Sequence, residues 1–131
     1  MEKHLFFLLI ISNLYFNNIA KEKKIVGEWK FIKITTFEKI GKDLYREKNS
    51  GSLSELKIEF KKDYNGISKS SESNTGEAFS WYINDNKVGI AYNGDNLILK
   101  SFNGEFTIKV LTKNKMHLFD EIKNKTIFFE K

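Results

Sequence analysis

Apolar and polar side chains alternate along much of the chain. In residues 56–61 the apolar Leu56, Ile58 and Phe60 are separated by charged residues. A period of two places one kind of side chain on each face of a β-strand. Apolar-rich runs of similar length recur later, at residues 79–83, 88–92, 97–102, 106–111, 116–119 and 126–129. The spacing predicts an all-β chain of eight or nine short antiparallel strands without a helix.

Tight-turn sequences separate these runs. Asn93-Gly94 and Asn103-Gly104 are the pairs that supply positive φ at both central positions of a two-residue hairpin. We therefore predict a hairpin whose tip is Asn103-Gly104. Short strands joined by tight turns pair with their neighbours, and a sheet of this size closes to remove its edges. The predicted fold is an up-and-down β-barrel; the alternative is a two-sheet sandwich, which needs longer cross-connections than the chain offers after Gly76.

Two polar segments interrupt the alternation. Residues 38–52 are long and charged, which predicts either a lid over one barrel mouth or an ordinary solvated loop. Residues 68–76 are rich in serine, which predicts a weak strand that leads into a mobile loop.

Residues 1–20 have a different composition. Lys3 and His4 precede an apolar run at residues 5–11, and Ala20 follows as a small residue. This order is typical of a secretory signal peptide, and the run is too short and interrupted to span a membrane comfortably. The alternative is a first strand or helix of the fold. We predict a signal peptide at residues 1–20 and an exported domain at residues 21–131, which has no membrane span and is periplasmic or extracellular.

Composition limits the partners and the chemistry. The chain has 131 residues, enough for one domain, and no cysteine, which excludes disulfides and cysteine-bound zinc. Its 22 basic and 17 acidic residues give a net charge of +5. The lysines are scattered and Arg46 is the only arginine, so we predict a solvated surface and no nucleic-acid partner.

Catalytic and metal-binding signals are weak. His117 is the only histidine after residue 20, and its position out of phase with Met116 and Leu118 predicts a solvent-facing side chain. Metal sites need several converging ligands, and no catalytic motif with the required spacing is present. The prediction is a protein that is not an enzyme, with no catalytic residues, no metal site and no cofactor.

Three stretches resemble the short bacterial lipocalin-like domains, which are calycin-type β-barrels. Gly27-Glu28-Trp29 resembles the Gly-x-Trp start of lipocalins. Residues 80–88 look like the middle of those domains, and residues 106–116 look like their late hairpin. The resemblance covers residues 25–129 and implies an eight-stranded barrel.

The resemblance also implies a structural role for Gly27 and Trp29. In lipocalins this tryptophan plugs the closed end of the barrel and touches no ligand. Larger lipocalins pack a late arginine over it. The single arginine here lies early in the chain, so Lys131 or Lys125 would have to take that place.

The inner face of the predicted barrel is the remaining functional feature. Eight residues are candidates to point inward and contact a ligand: Ile58, Phe60, Phe79, Trp81, Ile90, Tyr92, Phe106 and Ile108. The functional hypothesis is a pocket for a small apolar molecule, in which Trp81 lines the wall and Tyr92 offers a polar group. The alternative is a filled barrel that serves as a structural or protein-interaction module.

Overall fold

The computed structural model describes residues 19–50, 56–70, 73–95 and 97–131. Within these ranges nine strands form one antiparallel sheet. They are β1 (Gly27–Gly41), β2 (Leu44–Ser50), β3 (Lys57–Phe60), β4 (Asn65–Ser70), β5 (Ser73–Asn84), β6 (Lys87–Ala91), β7 (Gly104–Leu111), β8 (Lys115–Asp120) and β9 (Lys125–Glu130). Residues 19–25 form a helix, α1, and one helical turn, α2 (Leu97–Lys100), lies between β6 and β7.

The long strand β1 closes the sheet into a barrel. Residues 27–30 of β1 pair with β3, and residues 30–36 pair with β9 on the other edge. The strands from β3 to β9 pair in sequence order, so eight strands form a closed barrel and β2 is an extra strand on β1. This confirms the predicted all-β, up-and-down barrel. A closed barrel leaves no unpaired edge among these eight strands.

The register defines two ends of the barrel. At the closed end lie α1 and the turns after β3, β5 and β7. At the other end, the mouth, lie the paired Ser70 and Ser73 at the ends of β4 and β5, the α2 turn before β7, and the β8–β9 turn.

The barrel interior is filled by the residues of the alternating runs. Those with less than 2% of their surface exposed are Ile25, Trp29, Phe60, Val88, Phe106, Met116, Leu118, Ile127 and Phe129. In β8 and β9 every second side chain is buried, as a half-buried strand requires. Burial of apolar surface at about 25 cal/mol per Å² makes this core the main source of stability.

The predicted hairpin at Asn103-Gly104 is wrong. The run before it is not a strand, because residues 97–100 form α2, and β7 begins at Gly104 and pairs with β6. Leu99 and Phe102 are three residues apart and both are buried, a spacing that a helical turn satisfies and a strand does not. The two-residue hairpin in this part of the chain is instead Asp85-Asn86, between the paired Asn84 and Lys87.

The two polar segments are mostly strands. Residues 38–50 belong to a β1–β2 ribbon whose turn lies between Gly41 and Leu44, so the prediction of a lid or loop at residues 38–52 is wrong for this part. Residues 51 and 52 lie outside the described residues. Phe37 and Tyr45 on this ribbon are 51% and 61% exposed. In the serine-rich segment, β4 ends at Ser70 and β5 begins at Ser73, and the two strands pair.

The predicted signal peptide falls mainly on residues 1–18, which lie outside the described residues, so it stays a prediction. Residues 19 and 20 belong to α1. Among the described residues no helix is long and apolar enough to cross a membrane.

Candidate functional site

A small cavity lies inside the barrel at its mouth. Its walls come from β3 to β6 and from the β6–β7 connection, and they are formed by Ile58, Ser68, Glu77, Phe79, Ile90, Tyr92, Leu99 and Phe102. The free space is about 10 Å³, which is room for roughly one water molecule. The mouth is therefore nearly full, and the side chains that fill it decide what else can enter.

The connection after β6 supplies three of these side chains, Tyr92 at its start and Leu99 and Phe102 further along. Leu99 is 7% exposed and Phe102 is 2% exposed. The Phe102 ring packs edge-on against Phe31, with 5.6 Å between centroids, and lies 6.0 Å from Phe129. We name residues 97–103 the plug segment, because it places an aliphatic and an aromatic side chain in the barrel mouth.

Among the hydrogen bonds that hold the plug segment, one joins it to β9 and one joins it to the residue after β6. The Lys125 ammonium at the start of β9 donates to the carbonyl oxygen of Ser101. The backbone N–H of Tyr92 donates to the Asn103 side-chain oxygen at 3.1 Å. Within the plug segment, the N–H of Phe102 donates to the Leu99 carbonyl at 3.0 Å.

Lys125 is buried at this end of the barrel, at 7% exposure. Its burial lowers the pKa of the ammonium group, and Lys123 lowers it further, whereas Asp120 on the paired strand opposes the shift. Asp120 itself accepts hydrogen bonds from the N–H groups of Ile122 and Lys123, which shape the β8–β9 turn. The Lys125 ammonium therefore holds the Ser101 carbonyl, although removing the ammonium group from water costs free energy.

One wall of the cavity is polar. The Tyr92 hydroxyl donates to Oε2 of Glu77 at 2.7 Å. Ser68 Oγ donates to the Glu77 carbonyl at 3.3 Å and accepts from the Glu77 N–H at 3.4 Å. Tyr92 and Ser68 are each 5% exposed. An apolar chamber with a carboxylate and a hydroxyl on one side is suited to orient an amphipathic molecule.

The structure brings together half of the predicted ligand-binding residues. Ile58, Phe79, Ile90 and Tyr92 line the mouth cavity. Phe60, Trp81, Phe106 and Ile108 are buried in the core, but they do not line that cavity. A ligand contact remains a prediction for all eight.

Trp81 lies toward the closed end. Its indole N–H donates to the carbonyls of Lys61 and Asn65, at 3.1 and 3.0 Å, on either side of the β3–β4 turn. Its ring packs against Phe60 and Tyr64. It also lines an open groove beside α1, together with Ile19, Glu22, Lys23, Val26 and Lys62. Trp81 therefore does not form the wall of the mouth cavity.

Trp29 is fully buried at the closed end. Its indole N–H donates to the Ile25 carbonyl in α1 at 2.7 Å. The Lys131 ammonium lies 4.7 Å from the ring centroid, within cation–π range. Of the two lysines proposed to replace the lipocalin arginine, Lys131 occupies that position. Gly27 has φ of 132°, and a Cβ there would lie 3.1 Å from the Lys131 ammonium.

His117 lies on the outer surface of β8, partly buried. Its ring packs against Phe128, with 4.4 Å between centroids and a tilt of 59° between the ring planes. Burial lowers the pKa of His117, with Lys115 and Lys33 acting in the same direction and Glu130 opposing them. Among the described residues no cluster of three or more His, Asp or Glu could hold a metal ion.

Sequence reasoning missed four of the lining residues: Ser68, Glu77, Leu99 and Phe102. Ser68 begins the serine-rich segment at residues 68–76 and Glu77 directly follows it, and no alternation marks an inward face there. The apolar-rich run at residues 97–102 predicts a strand for Leu99 and Phe102. Their spacing of three was the available signal for a helical turn.

Comparisons with known proteins address the fold. A family model described as a lipocalin-like domain matches residues 25–118. The crystal structure of a lipocalin-like protein from Bacteroides uniformis ATCC 8492 is similar, with a TM-score of 0.59 and 11% sequence identity. The similarity covers 82% of this chain and 98% of that one. A comparison with curated proteins gave no significant match.

Proposed function

The chain belongs to the lipocalin-like domain family, and from that premise we propose that it is a binding protein that takes a small apolar molecule into the barrel mouth. The observation that carries the proposal is the plug segment. Leu99 and Phe102 enter the mouth from the β6–β7 connection. The other buried apolar side chains belong to paired strands or to α1, except Leu56 and Tyr92, each of which is next to the end of a strand. A ligand takes their place when the segment moves outward.

Moving the plug segment does not require the barrel to unfold. The described strand pairings end at Ala91 in β6 and begin again at Gly104 in β7, so movement of the segment leaves those pairings in place. Outward movement exposes the side chains of Leu99 and Phe102, and burying each contributes about 1.5–3 kcal/mol. An apolar ligand of similar size recovers that burial, so the exchange is close to balanced.

The remaining mouth residues suit this role. Ile58, Phe79 and Ile90 would form an apolar wall once the plug segment leaves, and Glu77 with Tyr92 would form a polar patch. The second candidate, a filled barrel that acts as an interaction module, has support from the small cavity of about 10 Å³. The binding function requires that a ligand can displace the plug segment, and the interaction-module function does not.

The test is a titration with Nile red, a neutral apolar dye that fluoresces in apolar surroundings. We expect saturable binding by the parent protein and tighter binding by Leu99→Ala, because the variant has a less stable plug and a larger competent population. Removing the buried Leu99 contacts favours the open form by about 1.5–3 kcal/mol, or roughly ten- to hundredfold in affinity.

A matched control is Ile122→Ala. Ile122 is an aliphatic residue at the same end of the barrel, in the β8–β9 turn, but it is 96% exposed. Its truncation should leave the affinity for Nile red unchanged. If the parent and Leu99→Ala both fail to bind the dye saturably, the filled barrel is the better description and the binding function is wrong.

We also propose that the protein is exported, and that residues 1–20 are removed. The basic and apolar N-terminus supports this. A cut after Ala20 would keep the contacts by which α1 covers the closed end, from Lys21 to the Asp85 carbonyl and from Ile25 to Trp29. Mass spectrometry of the protein expressed from the full sequence should show a chain that begins near Lys21; a chain retaining Met1 would contradict the proposal.

A further inference from the structure

We infer that the mouth site selects amphiphiles whose apolar body ends in a protonated amine, and that the Glu77 carboxylate is the group that recognises the amine. The inference rests on the proposed function, since it names the class of ligand for the same site. It comes from the polar wall of the cavity, which is the part that a purely apolar ligand would leave unused.

Glu77 has free capacity to accept hydrogen bonds. Within the described part of the chain, the Tyr92 hydroxyl is the one side-chain group that donates to its carboxylate, and it reaches Oε2 alone. A carboxylate can accept about four hydrogen bonds. Glu77 also lines the cavity directly, so a ligand that enters the mouth meets it.

Glu77 differs from the other Glu residues that accept a hydrogen bond on the barrel strands. Glu28 pairs with Lys57 and Lys69, and Glu105 pairs with Lys87. Across the described residues, no lysine or arginine lies within ion-pair distance of Glu77. A half-buried carboxylate beside an apolar chamber, without a cation of its own, favours a ligand that supplies the cation.

The neighbouring polar groups select against an anionic ligand. The Tyr92 hydroxyl hydrogen is directed to Glu77, and Ser68 Oγ donates to the Glu77 backbone carbonyl. An anionic headgroup would therefore meet a negative charge, and neither hydroxyl hydrogen would be free to stabilise it. An ammonium group offers three donors and no acceptor, which complements the carboxylate.

The net charge of the chain predicts the opposite preference. A protein with 22 basic and 17 acidic residues attracts anions over distance. At physiological ionic strength this surface field is screened beyond about 8 Å, whereas contact with a partly buried carboxylate is screened much less. A comparison of the affinities of matched cationic and anionic ligands therefore distinguishes recognition by Glu77 from attraction by the surface charge.

The experiment uses three ligands with the same ten-carbon chain: decylammonium, decanol and decanoate. Each displaces Nile red from the parent protein at neutral pH, physiological ionic strength and concentrations at which the ligand is monomeric. We expect decylammonium to bind about tenfold tighter than decanol, because a charge-assisted hydrogen bond is roughly twice as strong as a neutral one. Decanoate should bind most weakly.

Two variants locate the effect. Glu77→Gln keeps the size and the acceptor oxygen but removes the charge, so decylammonium and decanol should then bind alike. Glu105→Gln is the matched control, because Glu105 also accepts a 2.7 Å hydrogen bond from a tyrosine hydroxyl, that of Tyr82, but on the exposed outer surface. It should retain the full preference of the parent.

Three outcomes decide the matter. A preference for decylammonium that is lost in Glu77→Gln and kept in Glu105→Gln supports the inference. Equal binding of decylammonium and decanol by the parent, or a preference that persists in Glu77→Gln, overturns it and leaves the apolar-binding function standing. If none of the three ligands displaces bound Nile red, or the dye itself does not bind, both proposals fail. Equal binding of decylammonium and decanol by the parent overturns the inference whether or not a variant folds.

Discussion

At the scale of single residues, the closed end shows how a short motif fixes a tertiary contact. Gly27 has positive φ and leaves room for the Lys131 ammonium beside the Trp29 ring. Lys131 also donates to the carbonyls of Lys24 and Val26, at 3.4 and 3.3 Å. The last residue of the chain thus ties the entry to β1 to the end of the barrel.

The first prediction concerns this lysine. Lys131→Gln removes a cation–π contact at an exposed site, which should lower the free energy of unfolding by about 0.5–1 kcal/mol. Lys113→Gln, in the exposed β7–β8 turn, is the control and should have no effect. Chemical denaturation of the three proteins measures the difference, and identical midpoints would show that Lys131 does not stabilise the closed end.

The second prediction concerns His117 and pH. Because burial lowers the pKa of His117 below its ordinary value of 6.5, the unfolded state takes up the proton first as the pH falls. The contribution of neutral His117 to stability is therefore complete above the unfolded pKa and is lost as the pH falls toward the folded pKa. His117→Gln should flatten the stability profile over the range in which the pH falls below the ordinary pKa of 6.5. Melting temperatures across this range test it, and an unchanged slope in the variant would contradict it.

The identity of a residue predicted its position in the fold where its side chain suits only one kind of environment. The Gly-x-Trp pattern led to the buried Trp29, and period-two alternation led to Ile58, Phe79, Ile90 and Tyr92 on the inner face. Alternation gives only the face, and not the depth along the barrel axis. It therefore did not distinguish the mouth from the packed region that contains Trp81.

At the scale of elements, strands were predictable and connections were not. A period of two in the apolar residues indicates a strand, and short turns indicate that consecutive strands pair. The β6–β7 connection contains an Asn-Gly pair at each end, which usually marks hairpins. Here the burial of Leu99 and Phe102 in the mouth determines the conformation, and tertiary packing overrides the local turn preference.

Strands β4 and β5 provide the third prediction. Gly66 lies opposite Phe79, and a Cβ on Gly66 would be 2.1 Å from the end of the Phe79 ring. Gly66→Ala must displace that ring from the cavity wall, which should cost about 1–3 kcal/mol. Adding Phe79→Leu to this variant should cost less than Phe79→Leu costs in the parent, because the clash is then relieved. Additive losses in a double-mutant cycle would contradict this coupling.

At the scale of the whole molecule, eight strands close into a barrel that is solid at one end and covered at the other. The solid end follows from the size of the side chains, since Trp29, Phe60, Phe106 and Phe129 are fully buried in it. An eight-stranded barrel is just wide enough for packed side chains or one small ligand. The function then depends on the mouth, where the covering residues belong to the plug segment.

The whole-molecule architecture could be predicted because it follows from the number and order of strands. The extra strand β2 could not, because residues 38–48 are almost all exposed, including the apolar Ile40 and Leu44, so no buried face marks the strand. A ribbon that buries little apolar surface leaves no periodic pattern to detect. The site could be predicted only in part, because four strands and one irregular connection contribute to it.

The most direct test of binding in the mouth is an NMR measurement of contacts with decanol, whose neutral headgroup makes the result independent of Glu77 charge. We predict nuclear Overhauser effects from the decanol chain to the methyl groups of Ile58 and Ile90. Backbone signals of residues 99–103 should shift saturably, and the Trp29 indole signal should not move. Overhauser effects only to exposed residues such as Tyr45, or shifts that do not saturate, would contradict ligand binding in the barrel mouth.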